Sequence, residues 1–393
     1  MSMLLVFAGA GDEPRRGTIV SVERIASVTV DDVAARLREA GVPGRPMYGV
    51  TLYRVLYRTT DTDGALTVAS GALAVPEGLT APAPLLSYQH GTTIAKDRVA
   101  SMRDFDLIGM GFGASGYITA LPDYLGLGVS DGLHPYVHAA SLSTAIVDML
   151  RAVRQYSADE GVLLGDQLFL MGYSEGGYAT MAAHRAIEAQ YADEFEVTAS
   201  APMAGPYSLS DVMFGQMVDD RSYPTTVYLP LTLFAYDQVY DLFENPSEVL
   251  APPYDTTLPA LFDGALDWRE INAHLPDVPR AMLSASFLEN LAQDPAHPLL
   301  RALRENDVFD WKPRAPMKLF HCLEDEQVPF RNAEMAIEAF HRHGAVDVDV
   351  AALDFGGHEA CAPPAIFLGK LWFDAFVDEE AVLLRQARAT LEK

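Results

Sequence analysis

The chain has 393 residues and a formal charge of −26, with 49% hydrophobic and 10% aromatic residues. The composition is globular and the length fits about two domains. The acidic balance makes nucleic acid and anionic membrane surfaces poor partners, no apolar run approaches the roughly 18–20 residues of a membrane-spanning helix, and a soluble protein acting on neutral or apolar small molecules remains.

Met3-Leu4-Leu5-Val6-Phe7-Ala8-Gly9-Ala10 looks like the back half of an export signal, and Ala8-Gly9-Ala10 has the small-x-small form of a cleavage site, although no basic segment precedes it. A secreted or periplasmic location is therefore slightly favoured over a cytoplasmic one, and residues 1–29 are read as an irregular N-terminal stretch. Val30 to Ala40 is amphipathic, with Asp31 and Asp32 at its start and Gly41 after its end, and predicts a helix. Val50 to Tyr57 and Leu66 to Val75 alternate and predict an antiparallel pair. Leu85 to His90 is the next strand, Phe105 to Gly116 a glycine-spotted helix, Tyr117 to Pro122 a buried strand and Ala139 to Tyr156 a strong helix. Strands at Gln167 to Met171 and Val197 to Met203 flank a helix over Tyr178 to Tyr191. This β-α alternation predicts a mostly parallel sheet covered by helices on both faces, with ligands bound beyond the carboxyl ends of the strands.

The alternation breaks between residues 205 and 316, a stretch rich in Tyr, Phe, Met and Pro that reads as a helical cap. Most of its aromatics should form the cap's own core and a minority should line a substrate pocket. His90, Tyr173, Tyr207 and Phe214 are the pocket candidates. Strand and helix return at Met317 to His321, Asn332 to His343, Val346 to Phe355 and Pro364 to Val377, with a peripheral tail helix over Glu380 to Leu391. The core is thus 30–204 with 317–393, and the cap is 205–316, inserted after the sixth or so of these strands.

Everything turns on Gly172-Tyr173-Ser174-Glu175-Gly176, where a strand stops and a helix restarts. A serine that attacks a carbonyl must stand clear of its own backbone. A sharp strand-to-helix turn achieves this, flanking glycines relieve the crowding, and the helix N-terminus offers amides to an oxyanion. The hydroxyl needs a base and the base needs an orienting acid, in the chain order Ser, acid, His. Asp325 is the candidate acid, just past a strand end, with Glu324 and Glu326 as rivals. His358, behind Gly356-Gly357 after the last strand, is the candidate base. The oxyanion amides would be those of Glu175 and of Thr92 in His90-Gly91-Thr92. No arrangement of side chains suggests a metal or cofactor. Cys322 and Cys361 lie three residues from Asp325 and His358, and spacing leaves open whether they form a disulfide or remain two separate thiols.

Ser87-Tyr88-Gln89-His90-Gly91-Thr92-Thr93, Pro122 to Gly128, Gly172 to Gly177, Asp325 to Pro329 and Gly357-His358 together resemble the secretory lipases, α/β hydrolases of the yeast lipase A type and bacterial relatives. The resemblance spans roughly residues 49–377. It implies an α/β-hydrolase fold with a helical lid and cofactor-free hydrolysis of carboxylic esters by Ser174, Asp325 and His358. Glu175 stands where Gln is common in that family, and a carboxylate at the site entrance would disfavour anionic substrates. The expected function is a serine esterase or lipase on short- to medium-chain esters of small molecules, of unspecified oligomeric state. The alternatives are a serine peptidase or amidase on the same triad, and an inactive hydrolase-fold binding protein.

Overall fold

A computed structural model describes residues 4–6 and 15–377. Of the signal-like run, only Leu4–Val6 falls within them, as strand β1; the rest of that run and the expected tail helix lie outside the described residues. Residues read from sequence as an irregular stretch form a second strand, β2 (Ile19–Val28), antiparallel to both β1 and β3 (Val50–Thr60). Its alternation is interrupted by irregularities between Ile19 and Ser21 and between Arg24 and Ala26, which hid it from a period-two reading. Between β2 and β3 runs α1 (Val30–Glu39), whose Thr29 and Asp32 form a reciprocal capping box.

The antiparallel pair of β3 and β4 (Leu66–Pro76) leads into β5 (Ala83–Gln89), α2 (Leu107–Ala114), β6 (Ile118–Pro122), α3 (Ala139–Glu160), β7 (Leu164–Tyr173), α4 (Glu175–Gln190) and β8 (Ala199–Met203). Six helices follow: α5 (Phe214–Met217), α6 (Tyr228–Tyr240), α7 (Tyr254–Thr257), α8 (Trp268–Asn272), α9 (Ala285–Gln293) and α10 (Pro298–Glu305). β9 (Met317–Cys322), α11 (Arg331–Arg342), β10 (Val348–Leu353) and α12 (His358–Val377) complete the described residues.

The ten strands form one sheet in the order β1-β2-β3-β4-β6-β5-β7-β8-β9-β10, parallel from β6 onward. β5 and β7 are buried along most of their length, as strands covered on both faces must be. Residues of α3, α4 and α11 pack in one apolar layer and those of α1, α2 and α12 in the other. This is the α/β-hydrolase fold with helices inserted after β8. α12 is the one described helix long and apolar enough to cross a membrane, but it lies on this sheet, with Cys361, Ala365, Gly369 and Phe373 buried.

α12 starts six residues before the expected Pro364. Pro363 and Pro364 fall inside it, which sequence rules discourage. Glu359 and Ala360, whose carbonyls lose their partners to these prolines, are exposed, so water can take those bonds. Two tertiary contacts pin the start: the Glu326 carboxylate accepts the His358 N–H at 2.9 Å, and Cys361 is bonded to Cys322.

Candidate active site

The register of the parallel strands assembles the site. Gln89 pairs with Gly172, so the loop after β5 starts beside the turn after β7. Leu353 pairs with Cys322, so the loops after β9 and β10 leave the sheet side by side.

Ser174 follows β7 and precedes the first residue of α4 with φ 63° and ψ −126°, a region that costs a non-glycine residue energy. Its neighbours explain why the turn is built from glycine. A Cβ on Gly172 would stand 2.3 Å from the Gly176 carbonyl oxygen, and one on Gly176 would stand 2.0 Å from that of Gln89.

Ser174 Oγ lies 2.9 Å from His358 Nε2, and His358 Nδ1 lies 2.6 Å from Asp325 Oδ2. The other carboxylate oxygen accepts the N–H groups of Gln327 at 3.0 Å and Val328 at 2.7 Å. His321 Nε2, 2.8 Å from the Val328 carbonyl, sits 3.3 Å from Asp325 Oδ2. Burial pushes the Asp325 carboxyl up, but the hydrogen bonds of His321 and His358 outweigh it and hold it lowered to about 2. The rivals are elsewhere: Glu326 caps α12 through the His358 N–H, and Glu324 is exposed. Tyr173 O–H donates to the His358 carbonyl at 2.5 Å, tying the residue before the serine to the histidine.

The segment His90-Gly91-Thr92 runs against the turn, so close that a Cβ on Gly91 would be 3.3 Å from the Tyr173 carbonyl oxygen. The Glu175 amide belongs to the first turn of α4, where no residue of the helix can accept it. Its side chain is not at the entrance, contrary to the expectation above. It is fully buried, and Oε1 lies 2.6 Å from His134 Nε2. The charge-repelling role therefore falls away, because α4 turns this side chain inward beneath the loop that carries His134.

A cleft of about 490 Å³ opens onto Ser174 and His358. His90, Thr92 and Tyr173 line it, and so do Tyr228, Trp268 and Arg269 from the inserted helices. Tyr207 does not; it is fully buried in the core, and its N–H bonds the Gly205 carbonyl at 2.9 Å. Phe214 lines a separate apolar cavity of about 40 Å³ with Met213, Met217 and Leu229. Aromatic content, the signal behind both expectations, is shared by the aromatics that form the insertion's own core. Gln327, Tyr228 and Trp268 line the cleft although no pattern in the sequence sets them apart from their neighbours; His321, which contacts Asp325, carries one cue, its place four residues before that carboxylate at a strand end.

Cys322 and Cys361 form a disulfide, joining the end of β9 to the first turn of α12 across 39 residues of sequence. It fastens the acid-bearing loop to the histidine-bearing helix. Replacing both cysteines by alanine should lower stability by about 3–4 kcal/mol, the chain-entropy value for a loop of this length. Urea unfolding would check this, and a loss under about 1 kcal/mol would contradict it.

The secretory lipase family model matches residues 105–240. The rice cell wall degrading esterase LipA from Xanthomonas oryzae, in a ligand-bound form, is 29% identical over 90% of this chain and 95% of its own, with a TM-score of 0.81. A putative hydrolase from Legionella pneumophila is 28% identical over 92% of this chain and 99% of its own, with a TM-score of 0.85. Candida antarctica lipase A, in its closed state, is 18% identical over 88% of this chain and 79% of its own, with a TM-score of 0.69, and shares the fold. A comparison with curated protein sequences finds no match. The resemblance to secretory lipases read from the sequence is borne out.

Proposed function

We propose that this α/β hydrolase, similar to the secretory lipases, cleaves carboxylic esters of short- and medium-chain acids through an acyl-enzyme on Ser174. One observation carries the reading: Ser174 Oγ, the His358 ring and the Asp325 carboxylate stand in hydrogen-bonding sequence at 2.9 and 2.6 Å, with Ser174 and His358 lining a cleft.

Ser174 Oγ attacks the ester carbonyl carbon as its proton passes to His358 Nε2, and the C=O π pair moves onto oxygen. Asp325 holds the ring in the tautomer with Nδ1 protonated and offsets the imidazolium charge that forms. The amides of Glu175 and Thr92 bind the oxyanion. Collapse breaks the bond to the leaving alkoxide, which takes the proton from Nε2. Water then repeats the cycle on the acyl-enzyme, freeing the acid and restoring Ser174.

The residues 205–316 act as a lid, since Tyr228, Trp268 and Arg269 form one wall of the cleft. Charged side chains at that wall and rim, Arg98, Arg103, Arg269 and Glu359, favour short over long apolar acyl groups. The disulfide and the matching family's secretory character support an exported protein.

A series of p-nitrophenyl esters from acetyl to palmitoyl, assayed beside peptide anilides, tests the reading. kcat/KM should peak between about two and eight acyl carbons and exceed that on anilides at least about a hundredfold. Preference for anilides, or for emulsified long-chain esters, would overturn it.

A further inference from the structure

The two candidate oxyanion amides sit on separate elements, one in the loop after β5 and one at the start of α4. Oxyanion donors act only when held within a few tenths of an ångström of their target, so the spacing between these elements matters.

A chain of buried contacts joins them. The Glu175 side chain leaves α4 and meets His134 Nε2 at 2.6 Å. The His134 ring stacks on Tyr124 at 5.6 Å with 19° between planes, and Tyr124 stacks on His90 at 4.3 Å with 29°. The Tyr124 hydroxyl donates to the His90 carbonyl at 3.2 Å, and His90 Nδ1 lies 2.8 Å from the Gly91 carbonyl oxygen. Tyr124 holds this place with φ 73°, a left-handed backbone that a tyrosine adopts only when its surroundings demand it.

The proton positions follow from the partners. His134 Nδ1 faces the Leu125 carbonyl at 2.8 Å, which only accepts, so Nδ1 carries hydrogen. One further proton must lie between Nε2 and Glu175 Oε1, and the pair is neutral overall wherever that proton resides. Oε2 has no hydrogen-bond partner although Glu175 is fully buried. A buried carboxyl left half-satisfied is costly to a core that an apolar side chain could fill. Nothing in the triad geometry requires it.

We propose that His134 and Tyr124 are positioning residues of the active site. Through Glu175 on one side and His90 on the other, they set the separation of the two oxyanion amides. This rests on the ester-hydrolase reading above.

The test compares His134→Ala and His134→Gln with the unaltered protein on p-nitrophenyl butyrate, with melting temperatures alongside. His134→Ala should lower kcat by about 10- to 100-fold and leave KM within about threefold, because a change in amide spacing is felt by the oxyanion of the transition state far more than by the bound ester. His134→Gln, whose amide can donate to Oε1, should recover at least a third of the lost kcat on a logarithmic scale. A folded His134→Ala variant with kcat within threefold of the unaltered protein would overturn the proposal. So would a loss confined to KM, or no recovery by His134→Gln at an equal melting temperature. Should His134→Ala not fold, Tyr124→Phe keeps the ring and removes the bond to His90. It should lower kcat about three- to tenfold, and an unchanged kcat would count against the proposal equally. An unaltered protein that cleaves no ester would overturn the ester-hydrolase reading and this inference together, whereas a normal rate retained in the variants overturns this inference alone.

Discussion

Ser174→Ala should reduce kcat on a p-nitrophenyl ester by about 10⁵- to 10⁶-fold while the protein folds as before. In the proposed acyl-enzyme cycle the hydroxyl is the atom that bonds to substrate carbon, and it stands 2.9 Å from His358 Nε2. Alanine keeps the Cβ that this backbone already tolerates at φ 63°, so the turn between β7 and α4 should survive the change. The residual rate should be that of the oxyanion amides and binding acting on water, about 10³–10⁴ above the uncatalysed reaction. Loss of less than about a hundredfold would place the nucleophile elsewhere.

Asp325→Asn should lower kcat by about 10⁴-fold. The carboxylate accepts from His358 Nδ1 at 2.6 Å, and from two backbone N–H groups through its other oxygen. An asparagine that keeps its oxygen on those two N–H groups must turn its NH₂ toward His358. The ring then answers with an unprotonated Nδ1, its proton moves to Nε2, and the base faces Ser174 with nothing to accept. The same substitution has a stability signature. The carboxyl is lowered in the folded protein to about 2, against an ordinary 3.8. Its stabilisation is fully present above about pH 4 and is lost as pH falls through 2, a contribution of about 2 kcal/mol. The stability lead of the unaltered protein over Asp325→Asn should therefore narrow across that window in urea titrations. A lead that widens toward low pH would contradict the assignment of the charge.

The elbow was legible because its signal is local: an apolar strand, a glycine-flanked serine and a helical period adjoin within a few residues. The order of serine, acid and histidine was legible because the parallel sheet brings successive strand ends to one edge, so sequence order becomes spatial neighbourhood. What escaped depends on packing across the fold. β2 was missed because its irregular register breaks the alternation on which strand reading rests. Pro363-Pro364 reads as a helix beginning, whereas Glu326 and the disulfide start α12 at His358. Tyr207 and Phe214 carry the aromatic signal of pocket residues, yet one fills the core and the other lines a small separate cavity. Position next to Ser174 in the sequence points Glu175 at the entrance. The direction of its side chain is set by His134, forty-one residues away in sequence.

The burial of Glu175 matters for specificity. With Glu175 buried, the charges that face the cleft are Arg98, Arg103, Arg269, Asp106, Asp267 and Glu359, evenly divided in sign. Arg269 is paired to Glu359 at 2.6 Å. Discrimination by substrate charge, if measured, belongs to these rim residues rather than to the elbow.

The most direct measurement is mass spectrometry of the folded protein after brief exposure to a fluorophosphonate or to a slowly deacylating p-nitrophenyl ester. One adduct per chain, on the peptide that carries Gly172-Tyr173-Ser174-Glu175-Gly176 and localised to Ser174, is the expected result, and its formation should be lost in Ser174→Ala. An adduct on another residue, or no adduct on protein that hydrolyses esters, would contradict the account.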